Sequence, residues 1–142
     1  MQITIATEAD IDAILKLQTQ IYRTEKIADG AKSTLEKQLA DETCDVLVGK
    51  DDQENIISTA VIYYIEVPVR SRPYAFLEGL VVDESTRGQG VGTIMFEKIT
   101  ELARTKNCYK ILFTSATDRT DAHKLYEKLG FKKWGLEFRM DL

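Results

Sequence analysis

Residues 80–94 read LVVDESTRGQGVGTI: an apolar run, a polar turn, a glycine-rich hexapeptide and the first residues of a helix. The hexapeptide RGQGVG, residues 87–92, decides the fold. Strand, glycine loop and helix in that order form a phosphate-binding arrangement. Gly88, Gly90 and Gly92 carry no Cβ, so the backbone turns sharply and successive N–H groups converge on an anion. The helix N-terminus behind them adds its dipole. The spacing is neither G-x-G-x-x-G nor G-x-x-x-x-G-K-[ST], which removes support from the usual dinucleotide and nucleoside-triphosphate readings. It is R-x-x-G-x-G, with Arg87, Gly90 and Gly92 at the fixed positions. A plain glycine-rich strand-to-helix turn remains the alternative from these residues alone.

Working outward, residues 74–82 read as the strand before the loop, and Pro68 and Pro73 bracket a break ahead of it. Gly79 inside that strand marks a bulge or a close backbone approach. After the loop, Met95, Ile99, Leu102 and Ala103 form the apolar stripe of a helix reaching Lys106. Tyr109–Thr114 reads as a buried strand. A further helix carries Ala122, Leu125, Tyr126 and Leu129 at i, i+3, i+4 and i+7, ends at Gly130, and leads to a final strand near Phe138. Toward the N-terminus, residues 2–5 alternate as a short strand, and Thr7, Glu8 and Asp10 give a helix start of capping-box type. Ile11, Ile14, Leu15, Gln18 and Tyr22 follow at helical spacing. Residues 32–41 read as a weaker helix, 45–50 as a strand, and Ile56–Val67 as the second arm of a hairpin.

A second segment, HKLYEKLGF from His123 to Phe131, follows the loop by one helix and one strand. With both segments in that order, the chain resembles the GCN5-related N-acetyltransferase superfamily, whose members transfer acetyl from acetyl-CoA to an amine. The resemblance covers the chain from Phe76 to the C-terminus. It implies an α/β fold with a central mixed sheet and helices on both faces, in the order β–α–α–β–β–β–α–β–α–β. One domain over residues 1–142 is expected, since this length buries one core.

The resemblance also assigns roles. Arg87, Gly88, Gln89, Gly90, Val91, Gly92 and Thr93 become the pyrophosphate loop of acetyl-CoA. Leu80, Val81 and Val82 become the strand whose main chain pairs with the pantetheine arm. Tyr126 becomes the general acid that protonates the leaving thiolate, although its place on an apolar stripe by itself favours packing. Glu78 is the candidate base, flanked by Leu77 and Leu80 and sharing a face with Leu80 and Val82 if strand alternation holds. An edge or interface glutamate is the competing reading, and Glu66 is a weaker base candidate. Arg119 stands where many members have an asparagine that contacts pantetheine, so here a guanidinium meets the coenzyme's phosphates or an anionic acceptor group instead. His123, a lone histidine near a helix start, reads as a surface or capping residue.

Composition sets bounds. Hydrophobic residues at 44% and charged residues at 30% are those of a globular protein, and no apolar run reaches membrane-spanning length. The first ten residues show no secretion signal, so the cytoplasm is the expected compartment. Nineteen basic against twenty-three acidic residues, a net charge of −4 with no basic cluster, disfavour nucleic acid. Two cysteines and one histidine do not supply a zinc site, so no metal is expected, and Cys44 and Cys108 read as reduced thiols.

The stretch CYKILFTSATDRTDAHKLYEKLGF, residues 108–131, is most similar to small-amine members such as aminoalkylphosphonate and glucosamine-phosphate N-acetyltransferases. A small primary amine is therefore the expected acceptor, with Arg70, Arg72 and Arg119 available to an anionic group on it. An aminoglycoside, a peptide or protein amine, and a non-catalytic acyl-CoA sensor are the other readings. A homodimer through the last strand is the assembly the resemblance implies.

Overall fold

The computed structural model describes residues 1–142. They form two compact units, Met1–Leu112 and Phe113–Leu142. The first holds β1 (Gln2–Ile5), α1 (Ile11–Tyr22), α2 (Ala31–Leu39), β2 (Cys44–Lys50), β3 (Ile56–Val67), β4 (Arg72–Val82), α3 (Val91–Thr105) and β5 (Ile111–Leu112). The second holds α4 (Thr120–Lys128).

The sheet of the first unit runs β1-β2-β3-β4-β5. Its first four strands are antiparallel neighbours, and β5 lies parallel to β4 after the crossover through α3. The sheet is therefore mixed, as expected. Both faces are covered, which explains why β2 and β3 read as continuous apolar runs rather than alternating ones. On one face Val46, Val48 and Val61 pack with Ile11 and Ile14 of α1 and Leu35 of α2. Cross-strand partners share a face, so Leu47, Ala60, Ile62 and Leu77 occupy the other. α3 covers that side: Lys106 at its end lies over the Tyr64 ring, and Met95, Phe96 and Ile99 are fully buried.

The N-terminal start holds as read. Asp10 accepts the Thr7 N–H at 2.8 Å, and its other oxygen meets Lys50 Nζ at 2.8 Å, tying the start of α1 to the end of β2. Three expectations change. The strand expected over Tyr109–Thr114 shortens to Ile111–Leu112, because only Ala75 and Phe76 of β4 pair with it. The final strand near Phe138 is absent: residues 131–142 form no regular element, and Trp134, Leu136, Phe138, Met140 and Leu142 are exposed. Period-two alternation is present there, but a strand exists only through a ladder, and no segment pairs with this one. In α4 no residue is fully buried, so its apolar stripe is half-covered rather than core.

Candidate active site

The glycine loop is built from both ends. Asp83 accepts the Ser85 N–H at 2.9 Å and caps a short 3-10 turn over Glu84–Thr86. From α1, Gln20 donates Nε2–H to Asp83 Oδ2 at 2.9 Å and accepts the Glu84 N–H at 3.2 Å. The Ser85 hydroxyl and the Gln20 amide hold the Asp83 carboxyl below its ordinary range. Arg87 folds its Nε–H back onto the Val82 carbonyl at 3.2 Å, so its guanidinium is partly spent inside the loop. Gly88 at φ +78° and Gly90 at φ +85° take the left-handed conformation that only glycine adopts without strain. A Cβ at either position has nothing within 4 Å, so conformation, not crowding, demands glycine there.

Gly90 caps α3, whose first hydrogen bond is Ile94 N–H to the Gly90 carbonyl at 3.2 Å. The N–H groups of Val91, Gly92 and Thr93 precede it and have no acceptor within the helix. Gly92, read from sequence as part of the sharp turn, is the second helical residue and shows no positive φ. Val91 itself is buried.

The strand feeding the loop is irregular where Gly79 predicts. Glu78 pairs with Val61 and Val81 with Thr59, so Gly79 and Leu80 together face Ala60. That is a bulge, with Gly79 at φ +60°. It overturns one expectation: the extra residue breaks alternation, and Glu78 shares its face with Val81, not Val82. Nor does Glu78 lie in an apolar setting. It is exposed, with Leu77 on the opposite face. Its Oε1 accepts the Tyr22 hydroxyl at 2.9 Å and the Gly79 N–H at 3.1 Å. Partial desolvation of the phenol, then the hydrogen bond to Glu78, push the Tyr22 hydroxyl up to about 12. Because β5 pairs with β4 only at Ala75 and Phe76, the second edge of β4 has no strand beside it from Leu77 to Val82.

Other candidates fall elsewhere. Glu66 pairs with Pro73, five residues along β3 from the partner of Glu78 and about 17 Å away at the usual strand rise. Arg72 is occupied by the carbonyls of Asn107 and Cys108 at 3.0 and 3.1 Å, which withdraws it from acceptor binding. Arg70 lies over the Tyr109 ring, 4.6 Å from its centroid. Burial raises both Cys44 and Cys108 above the ordinary thiol range, against a thiolate nucleophile. A polar hollow of about 370 Å³, lined by Asp41, Glu42, Asp45 and Lys106 among others, lies at the far end of α3 from the loop. No cluster of three or more His, Cys, Asp or Glu side chains is placed to hold a metal.

In the second unit Arg119 is exposed at the N-cap of α4. The His123 ring hydrogen-bonds the Ser115 hydroxyl at 3.1 Å, a local structural contact. The half-buried Tyr126 ring meets Phe113 edge-on, centroids 4.8 Å apart, and Phe113 meets Phe131 in the same way at 5.0 Å. Within the first unit, then, the structure brings the loop, the bulge and Glu78 onto one strand and its exit. Tyr22 and Gln20 are the residues sequence reasoning missed. Tyr22 was legible only as the last member of an apolar helical stripe, and its partner lies 56 residues away.

Residues 11–131 match the family model for the acetyltransferase (GNAT) family, from the first residue of α1 through the HKLYEKLGF segment. The chain belongs to the GNAT family. Among GNAT relatives it is similar to a glucosamine 6-phosphate N-acetyltransferase of Trypanosoma brucei brucei, 37% identical over 71 residues, half of this chain and 46% of that protein. It is also similar to a thialysine N-epsilon-acetyltransferase of Bos taurus, 26% identical over 136 residues, 88% of this chain and 80% of the relative. The chain spans less than half the length of the first curated relatives it matches. In fold it matches a putative acetyltransferase from Agrobacterium tumefaciens at a TM-score of 0.90, with 23% identity and full coverage of both chains. No helix is long and apolar enough to cross a membrane.

Proposed function

We propose that this GNAT protein is an acetyl-CoA-dependent N-acetyltransferase that moves an acetyl group onto a primary amine of a small molecule by direct attack. The observation that carries the reading is the run of N–H groups at the start of α3, opened by Gly88 and Gly90 next to the exit of an unpaired strand edge. Free backbone donors at the positive end of a 15-residue helix suit a pyrophosphate. An unpaired strand edge suits an arm that carries amides. These surfaces fit acetyl-CoA, which supplies an acetyl group activated as a thioester.

In this reading residues 87–93 hold the pyrophosphate through their main chain, and the glycines keep the surface above them clear. Leu80, Val81 and Val82 offer main-chain groups to the pantetheine amides. Arg119 supplies a guanidinium to an anionic group of coenzyme or acceptor. An alkylamine is mostly protonated at neutral pH and attacks only when neutral, so a base is required. Glu78 takes that proton through Oε2, directly or by way of a water, and the Tyr126 hydroxyl gives a proton to the departing thiolate.

Two relatives are named for small amines, glucosamine 6-phosphate and thialysine, which supports a small-molecule acceptor. The reading takes residues 1–142 as one catalytic domain acting in the cytoplasm, where its two free cysteines stay reduced. It expects a homodimer, because five apolar side chains alternate, exposed, along residues 134–142.

Titration calorimetry with acetyl-CoA, followed by thiol release with glucosamine 6-phosphate, thialysine, an aminoglycoside and a lysine peptide, tests the function. Micromolar binding with release to a small amine is the expected result. Binding without release in any arm favours a sensor, and release to the peptide alone changes the acceptor class. No binding overturns the proposal.

A further inference from the structure

We infer that Tyr22 is a positioning residue for acetyl transfer: its hydroxyl holds Glu78 by one carboxylate oxygen and leaves the other facing the incoming amine. The inference rests on the proposed role of Glu78 as base and adds a residue that neither the family match nor any spacing marks. Glu78 is an exposed strand glutamate, and a free side chain of this type visits many rotamers at an entropic cost to any one of them. Here two donors converge on Oε1, the Tyr22 hydroxyl at 2.9 Å and the Gly79 N–H at 3.1 Å. No other hydrogen bond reaches the carboxylate, so Oε2 keeps its lone pairs. A carboxylate pinned by one oxygen with the second open is the geometry in which a base meets a proton without first reorganising.

Tyr22, 55% exposed, is held at its backbone. It is the last residue of α1, which Arg23 ends at φ 51° with its N–H on the Thr19 carbonyl. The bulge lies against the phenol: a Cβ on Gly79 would stand in ordinary contact with it, 3.4 Å from the Tyr22 hydroxyl and 3.7 Å from Gln18 Nε2. Two positions before Tyr22, Gln20 braces Asp83 and Glu84 at the entrance to the glycine loop. The final turns of α1 thus set the proposed base and brace the coenzyme loop together. The phenol stays a donor across the working range, since its ionisation is pushed far above neutral.

The test compares wild type, Tyr22→Phe, Glu78→Gln and the double variant. The probe is acetyl-CoA with glucosamine 6-phosphate or thialysine, whichever releases thiol faster, or with water where neither does. Tyr22→Phe is expected to lower kcat about tenfold while the KM for acetyl-CoA and the Tm stay unchanged, and the double variant is expected to be no slower than Glu78→Gln. Independent falls that multiply in the double variant, or an unchanged kcat in Tyr22→Phe, overturn the positioning role. An unchanged kcat in Glu78→Gln instead removes the base assignment, a separate result. A readout free of turnover is the titration of ring-labelled tyrosines by NMR. One phenol titrates late in wild type and earlier in Glu78→Gln, and the absence of that difference also overturns the inference.

Discussion

At Gly79 the backbone stands at φ +60°, beside the Tyr22 hydroxyl that reaches Glu78. Any side chain there is strained, so Gly79→Ala is expected to cost about 1–2 kcal/mol in denaturant unfolding. It should also lower turnover, because the Gly79 N–H and the Tyr22 hydroxyl share one oxygen of Glu78. Tyr126 poses the opposite question, since its ring packs on Phe113 while its proposed work lies at the hydroxyl. Tyr126→Phe keeps the ring and removes the hydroxyl. Turnover should fall about 10²-fold with little change in acetyl-CoA affinity; if only the Tm falls, Tyr126 is a packing residue. Gly79 was legible from sequence because glycine inside a strand has few purposes. Tyr22 was not, because an aromatic at the end of an amphipathic stripe reads as core whether or not its hydroxyl is employed.

The loop and α3 work as one element. The anion-binding character proposed for it rests on Gly88 and Gly90, whose positive φ turns the chain into the helix with the first N–H groups open. Gly90→Glu places bulk and negative charge over those groups, and the acetyl-CoA Kd, read by calorimetry, should rise at least about 100-fold. An unchanged Kd would end the loop assignment. The spacing R-x-x-G-x-G was sufficient to find this glycine turn and the helix behind it, because both are local in sequence. Spacing misjudged one part, since Gly92 is a helical residue, while Arg87 is drawn inward to the Val82 carbonyl and keeps its backbone N–H for the loop. The bulge in β4 likewise reversed the expected facing of Val82 relative to Glu78, since one extra residue shifts every later side chain to the other face.

Across the whole molecule, Asp10 and Lys50 join the N-terminal helix to the sheet. Asp10 is nearly buried, and burial by itself would raise its carboxyl. The Lys50 ammonium and the Thr7 donors outweigh burial and hold it below the ordinary range. A folded-state value lowered in this way contributes stability above the unfolded value near 3.8, and that stability is lost as pH falls through the lower folded value. Unfolding free energy should therefore decline below about pH 4. Lys50→Met strands the carboxylate and should lower the unfolding free energy at pH 7, by less than the loss of a fully buried pair because Lys50 stays partly exposed. In that variant the decline between pH 4 and 3 should shrink. Denaturant melts at stepped pH check both.

Much of this protein was written locally. Glycine spacing, helical stripes, the Thr7–Asp10 start and the hairpin are short-range patterns, each dictated by the conformational limits of neighbouring residues, and they led to the mixed sheet and to the glycine loop ahead of α3. Tertiary structure decided what depends on partners distant in sequence. It set the length of β5, which follows from how few residues of β4 pair with it, and the lack of a ladder for residues 134–142 despite their alternation. It decided too that the carboxylate of Glu78 is held by a phenol 56 residues earlier. A hydrogen bond or a strand pairing is a relation between two segments, and no periodicity within one segment carries the address of the other.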